Sequence, residues 1–314
     1  MTFVKDSARK SAAFKFALAI LTLFILLFLQ IPSVQARSGG TERFQRSQFI
    51  GRMPSTIFLI GWRSDSKDVE KLLDLLYARA GEAFAKLDWQ NPQSEVSRLN
   101  AQAGGGPMRV SPEVIAAFEA YLKVAKWSGG AFDAAYVGSG SYRDVKVNSG
   151  AQTVELTRPG MQIRFDMMMA GFLADLLIRY IHSSNMRNAM VKVGSVFRGM
   201  GQSMRGPWRI QVQDDAGTFA RHAVNLTVFN NGVATVSASE YRGAPPIDPR
   251  SKSPISPLIK GVVVITREAA LAQGLAQAAF ILGAKKGMDM LTKVGTKALI
   301  VDMNGRFIRS PGFK

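Results

Sequence analysis

Two stretches far apart in the sequence contain the residues best suited to hold a ligand. In the first, residues 157–175, Pro159 and Gly160 form a turn, a short strand follows, and Asp166 opens an apolar helical run. The Asp166 carboxylate is placed to cap free backbone N–H groups at the start of that helix. Because a strand that turns sharply into a helix N-terminus is a natural seat for phosphate, this stretch predicts a site for a phosphate-bearing ligand.

The second stretch, residues 271–283, is rich in small residues and predicts a helix that can pack close to a ligand or a metal. Gln273 and Gln277 are four residues apart and therefore share one helical face. Magnesium prefers hard oxygen ligands with at least one carboxylate, and two neutral amides bring no negative charge. The residue types therefore favour amides that bond to each other or to nearby backbone over a metal site.

A third segment with ligand-binding character is Ser-Gly-Gly-Ala-Phe-Asp at residues 128–133. Its glycines permit a tight bend after a helix, Phe132 offers a flat apolar face, and Asp133 provides a buried hydrogen-bond acceptor. The commoner origin of such a pattern is a helix C-cap followed by a core phenylalanine. Both interpretations are consistent with the residues.

Other familiar chemistries have no matching pattern. The sequence contains no Ser-His-Asp set, metal-spaced histidine pair, phosphate-binding Walker loop or dinucleotide-binding glycine fingerprint. Its two histidines, His182 and His222, lie outside the segments described above and are expected to be surface or hydrogen-bonded residues. Asp248 precedes Pro249 and is expected to be a turn residue.

Several segments resemble the ApbE family of FAD:protein FMN transferases. The similarity extends over residues 50–313 and is closest at residues 94–100, 128–133, 207–212 and 247–250. It implies an α+β domain in which helices pack on mostly antiparallel sheet. It also implies a magnesium-dependent phosphoryl transfer, in which a threonine of a target protein attacks the FMN phosphorus of FAD and AMP leaves. The residues that it places beside FAD are Met53, Ala131, Phe132, Asp133 and Asp166.

The sequence departs from that family where the chemistry is concentrated. The family's aspartate and threonine metal ligands correspond to Gln273 and Gln277, its loop lysine to Ala170, and its histidine to Pro245. No catalytic residue is therefore assigned. Three functions remain open: a transferase that moves FMN to a threonine of a redox protein, an inactive relative that binds flavin or a protein partner, and a basic surface-binding module.

The N-terminal residues predict export. Basic residues precede an apolar run at residues 16–29, and Val34-Gln35-Ala36 supplies the small residues that a signal peptidase recognises. We therefore predict a signal peptide or an uncleaved anchor at residues 1–36, a linker at 37–48 and the domain at 49–314. The expected location is the periplasm or the outer face of the inner membrane, with an exported or membrane redox protein as partner.

The net charge and the cysteine count limit the chemistry that this protein can perform and the partners that it can bind. The chain of 314 residues has no cysteine, so it has neither disulfides nor thiol chemistry. Its formal net charge of +17 suits anionic lipid, cell-wall polymer or an acidic partner. Nucleic acid is not an expected partner, because the basic residues are scattered and no aromatic-basic binding motif occurs.

The elements that must position these residues can be predicted from periodicity. Apolar residues at helical spacing predict helices at 68–87, 111–127 and 269–282. Alternating residues predict a first strand at 48–62, and Asn230-Asn231-Gly232 predicts a hairpin between two strands in 223–236. Strands and helices follow one another without βαβ regularity, which favours the α+β class.

Overall fold

The structure is a computed structural model that describes residues 40–212, 218–219, 224–241 and 244–313. The predicted signal peptide or anchor at 1–36 and the residue His222 lie outside the described residues. In the part that is described, none of the helices combines the length and the hydropathy of a membrane span.

An eight-stranded sheet forms the centre of the fold. Its strand order is β1-β2-β8-β9-β12-β15-β16-β17, and every neighbouring pair is antiparallel. These strands are β1 (Thr41–Ile50), β2 (Met53–Trp62), β8 (Ala189–Val193), β9 (Val196–Met200), β12 (Gly232–Ser237), β15 (Ile259–Thr266), β16 (Lys297–Asp302) and β17 (Phe307–Arg309).

Five α-helices are present in the described residues. Their bounds are α1 (Ser66–Leu87), α2 (Glu95–Ala101), α3 (Pro112–Trp127), α4 (Met169–Ser183) and α5 (Ala269–Val294). Helix α5 is interrupted at Gly283, which has φ 76° and ψ −176°. Ser94 caps α2 by accepting a hydrogen bond from the Ser97 N–H at 2.9 Å. The observed helices confirm the predicted α+β class and the three helices predicted from periodicity.

The remaining strands form small antiparallel units. β10 (Trp208–Val212) pairs with β11 (Val224–Val228), and β3 (Met108–Arg109), β6 (Thr153–Leu156) and β5 (Val145–Asn148) form a three-stranded sheet. Two further pairs are β4 (Val137–Gly138) with β7 (Met161–Gln162) and β13 (Ile247–Asp248) with β14 (Ser253–Pro254).

The large sheet is buried on both faces, because its side chains alternate between two apolar layers. In β15, Val262 and Val264 pack with the helices, whereas Val263 packs with the layer that contains Trp208 and Leu226 of the β10–β11 pair. Helices α4 and α5 lie side by side against this sheet. The stretch that begins at Asp166 and the helix that carries the two glutamines are therefore packed together.

The N-terminal boundary differs from the prediction. Residues 41–48, which were expected to belong to a linker, form most of β1, with Phe44 and Ile50 buried. The single strand predicted at 48–62 is a hairpin, in which Gly51 and Arg52 form the turn. Gly51 has φ 56°, and a Cβ there would lie 2.3 Å from the Phe84 ring, so the turn requires glycine.

The hairpin predicted around Asn230-Asn231-Gly232 is wrong in its pairing. Both strands exist, but β11 pairs with β10, and β12 pairs with β9 and β15 in the large sheet. The turn therefore carries the chain from a two-stranded unit to the central sheet. The packing of distant segments determines which strands pair, and a local turn sequence gives no information about that packing.

Candidate functional site

Asp133 is a buried and fully engaged acceptor. It is 3% exposed and follows the buried pair Ala131 and Phe132. Its carboxylate accepts hydrogen bonds from the Tyr121 hydroxyl, from the Ala135 N–H at 2.9 Å and from the Tyr142 N–H at 2.8 Å. Burial, followed by the charge of Asp133, raises the pKa of Tyr121. This carboxylate therefore fixes the shape of the 131–142 segment.

The segment that contains Asp133 lies beside the strand that leads to Asp166. The Arg164 N–H donates to the Ala134 carbonyl oxygen at 2.9 Å. Phe165 packs edge-on against Tyr121, with ring centroids 6.2 Å apart. The structure thus brings together two of the predicted flavin-site segments through backbone pairing and aromatic packing.

Asp166 is not the helix cap that the sequence predicts. Helix α4 starts at Met169, three residues later, and its N-cap position is Met168, which makes no side-chain cap. Asp166 instead accepts from Arg52 Nη2 at 2.9 Å and from the Trp89 indole N–H at 2.6 Å. Arg52 precedes Met53, the half-buried first residue of β2, so the Asp166 and Met53 segments are held next to each other.

Replacing Asp166 with alanine is expected to lower the free energy of unfolding by less than about 1 kcal/mol. The Asp166 side chain is 38% exposed and its partner Arg52 is 45% exposed, and ion pairs in such positions contribute little. Urea unfolding measures this, with the exposed Asp68→Ala as the matched control. A loss above about 2 kcal/mol would contradict the expectation. If Asp166 touches flavin, FAD affinity falls in D166A and stays unchanged in D68A.

The two glutamines of α5 face α4 and the turn after β12. The Gln273 side chain accepts a hydrogen bond at Oε1 from the Gly171 N–H at 2.8 Å. The Gln277 side chain accepts at Oε1 from the Tyr241 hydroxyl at 2.6 Å. Gln273 is 9% and Gln277 is 7% exposed. The sequence predicts amides that bond to each other or to nearby backbone; Gln273 does bond to backbone, but that of a distant helix, whereas Gln277 bonds to a tyrosine hydroxyl.

Asp175 anchors the N-terminus of α5 to α4. Its carboxylate accepts from the Ala269 and Ala270 N–H groups, both at 2.9 Å, and from Arg198 Nε at 2.9 Å. Burial raises the pKa of Asp175 despite these donors, which act in the opposite direction. The role of Asp175 was not predicted from the sequence, although a single acid within an apolar helical run is a signal for such an anchor.

Tyr241 contacts Gln277 and also lines an open cavity. Its ring stacks on Phe280 at 5.2 Å, and its hydroxyl bonds to Gln277. Burial raises the pKa of Tyr241 above its ordinary value, with a smaller contribution from the charge of Glu240. The cavity measures about 440 Å³ and includes Pro245 in its wall. The sequence offers no sign of Tyr241, because the contact depends on a residue 36 positions away.

The turn at residues 247–250 behaves as the sequence predicts. Asp248 accepts from Arg250 Nε at 2.9 Å, from Arg250 Nη2 at 2.6 Å and from the Arg250 N–H at 2.9 Å. This pairing lowers the pKa of Asp248. The Arg250 stem lies against the segment at Gly130, so the turn packs beside the Asp133 region.

The residues at the two glutamine positions do not fit a divalent cation. Both amide oxygens are already bonded, to a backbone N–H and to a hydroxyl. The Asp175 carboxylate, on the adjoining helix, is paired with Arg198. Within the described residues, no group of three or more His, Cys, Asp and Glu side chains is arranged for a metal. A hard dication therefore lacks the charged oxygen ligands that it needs here.

The decisive comparison is with a family model. The model of the ApbE family matches residues 68–139 and 134–300, which together include both glutamines, the Asp133 segment and the Asp166 stretch. The chain belongs to the ApbE family. The departures at Ala170, Pro245, Gln273 and Gln277 are thus departures within an ApbE fold.

Named relatives of this ApbE-family chain have modest identity. The FAD:protein FMN transferase of Treponema pallidum is 25% identical over 292 residues, covering 78% of this chain and 81% of that protein. The FAD:protein FMN transferase of Vibrio cholerae is 21% identical over 260 residues, covering 72% and 76%.

Solved structures show the same fold. The flavinyl transferase ApbE of Pseudomonas stutzeri superposes with a TM-score of 0.76 at 20% identity, covering 87% of this chain and 96% of that one. The flavin transferase ApbE of Vibrio cholerae gives 0.74 at 19% identity, covering 87% and 99%. At this identity the comparison shows that these chains share the ApbE architecture.

Proposed function

We propose that this protein is an FAD:protein FMN transferase, which binds FAD and moves its FMN part to a threonine of another protein. The observation that carries the proposal is the family model match across residues 68–300, in two overlapping segments, together with relatives of that name. The retained segment at 128–133, and the hydrogen bond from the Arg164 N–H to the Ala134 carbonyl oxygen that joins it to the Asp166 stretch, support an FAD site at this place.

In the proposed reaction the threonine oxygen attacks the phosphorus of the FMN part of FAD. A new P–O bond forms, the pyrophosphate bond breaks, AMP leaves, and the threonine proton passes to solvent. Phe132 and the fixed Asp133 segment would shape the flavin wall. The Tyr241 hydroxyl donates to Gln277 and so holds that amide in place. No step is assigned to magnesium, because the residues do not fit it.

The setting of the reaction is also a proposal. The leader-like residues 1–36 support an exported protein at the periplasmic side, whose acceptor is an exported or membrane redox protein. The same residues, if uncleaved, would hold the domain at the membrane.

A second function is favoured by one specific observation. Gln273 and Gln277 place neutral amides, already hydrogen-bonded, at the positions where other ApbE-family members are expected to hold a cation. The second function is therefore that of a protein that binds FAD without transferring FMN. Charge stabilisation by a metal supplies much of the catalysis in phosphoryl transfer, so its loss would slow the reaction strongly.

One experiment decides between these functions. The full chain is incubated with FAD and a threonine-containing peptide from an exported redox protein, with magnesium and with EDTA. Transfer predicts a peptide whose mass increases by one FMN and an equal amount of released AMP. A peptide with that threonine replaced by alanine is the control. FAD binding with neither product would establish the second function and exclude the first.

A further inference from the structure

The two glutamines present hydrogen-bond donors at the site. The Gly171 backbone N–H can only donate, so its 2.8 Å contact fixes the Gln273 amide with Oε1 toward α4 and Nε2 away from it. In Gln277 the Oε1 atom likewise accepts, from the Tyr241 hydroxyl at 2.6 Å. In each residue the acceptor half is used and the donor half points elsewhere.

Both donor halves lack a protein partner. Within the described residues, neither Nε2 group donates to a protein acceptor, although each side chain is more than nine-tenths buried. The fully buried polar atoms that lack a partner in the described part are Ser111 Oγ and Arg164 Nε, so the Nε2 groups keep some contact with solvent. A nearly buried donor without a protein acceptor is costly unless water or a ligand supplies one, so each Nε2 group is available to a ligand acceptor.

The surroundings favour an acceptor that carries negative charge. The first turn of α4, which supplies the Gly171 N–H, contains no acidic residue, and helix N-termini attract anions. The adjoining Asp175 is neutralised by Arg198. Glu240, next to Tyr241, is the opposing charge, and its Oε1 is held by the Ser237 N–H at 3.0 Å.

We propose that Gln273 and Gln277 are an anion-binding pair, whose Nε2 groups donate to phosphate oxygens of the pyrophosphate in FAD. This inference rests on the proposed FAD site and adds to it the group that holds the pyrophosphate. The polarity of the site is then opposite to that of a cation site. Two amide donors contact the phosphate directly, and binding of FAD needs no divalent cation.

The first test compares FAD binding with and without magnesium. FAD fluorescence is titrated with the full chain in EDTA and in an excess of magnesium. The dissociation constants are expected to agree within about two-fold, because the donors belong to the protein itself. A gain of about ten-fold or more with magnesium would overturn the proposal.

The second test replaces the donor halves and keeps the acceptor halves. Gln273→Glu and Gln277→Glu have the same size and can still accept from the Gly171 N–H and the Tyr241 hydroxyl. Each is expected to weaken FAD binding in EDTA by roughly 10- to 100-fold, since a bond to a charged group is lost and repulsion is added. Riboflavin, which has no phosphate, should bind equally to all variants. Gln45→Glu, on the exposed face of β1, is the matched control.

Inorganic pyrophosphate separates this inference from the proposed function. Suppose that pyrophosphate binds the unsubstituted chain but not the glutamate variants, and that FAD binds to none of them. This result would support the anion-binding pair and refute the proposed FAD function. If FAD binds without FMN transfer and the variants weaken it, the pair stands and the transferase fails. Equal FAD affinity in Gln273→Glu, Gln277→Glu and the natural chain would refute the pair, as would no binding of either probe. Thermal unfolding confirms that each variant is folded.

Discussion

Replacing Asp175 with alanine is expected to lower the free energy of unfolding by about 3–5 kcal/mol, the cost of breaking a buried ion pair by removing one partner. The Asp175 side chain is 7% and the Arg198 side chain 13% exposed, so the remaining guanidinium would be a poorly hydrated charge. The change also leaves the Ala269 and Ala270 N–H groups without an acceptor. Guanidinium unfolding of the full chain measures the difference.

Two further variants test the cause of this loss. Glu82→Ala breaks the Arg79–Glu82 pair, in which both side chains are more than half exposed, and should cost less than about 1 kcal/mol. Combining Asp175→Ala with Arg198→Met should cost less than the sum of the two single changes, because no charge is then stranded. A loss below about 1 kcal/mol in D175A would show that the buried pair does not stabilise the fold.

Replacing Gly171 with alanine is expected to destabilise the protein by about 1–3 kcal/mol, the range for overpacking a well-packed contact. A Cβ at Gly171 would lie 2.4 Å from the Ala269 carbonyl oxygen and 2.7 Å from the Ala270 Cα. Both atoms belong to the backbone of α5, which cannot turn aside as a side chain can. The two helices would have to separate, and the hydrogen bond from Gly171 to Gln273 would lengthen.

Gly81→Ala is the matched control for this substitution. Gly81 lies inside α1, and a Cβ there would meet no heavy atom within 4 Å. Since alanine is the better helix former, this variant should gain about 0.5–1 kcal/mol. The same substitution should therefore lower the free energy of unfolding at Gly171 and raise it at Gly81, as measured by urea unfolding. A stabilising Gly171→Ala would mean that α4 and α5 do not approach so closely in solution.

The sequence predicts helices and fold class well because those depend on local periodicity. The apolar spacing in residues 68–87 reflects a helix with one buried face, and that in residues 269–282 reflects a fully buried helix. Both helices can be recognised without knowing which elements they pack against. The break at Gly283 falls one residue after the predicted helix end. By contrast, alternation alone does not reveal that the first strand turns back at Gly51.

The site is harder to predict because its contacts are distant in sequence. Asp166 precedes an apolar run and has the pattern of a cap, yet its partner Arg52 is 114 residues away. Gln273 can be predicted to need a hydrogen bond, but the Gly171 N–H is 102 residues away. Residue types limit what a side chain can do, and the fold selects which partner it meets.

The number of residues between Asp175 and the start of α5 also determines how much of the chain must be synthesised before α4 and α5 can pack together. The three contacts that join α4 to Ala269, Ala270 and Gln273 cross 94 to 102 residues of chain. A nascent polypeptide that has not reached residue 269 holds an apolar α4 without its neighbour, and long-range contacts of this kind form slowly. Helix α4 can therefore reach its final packing only after residues 269–273 have been synthesised.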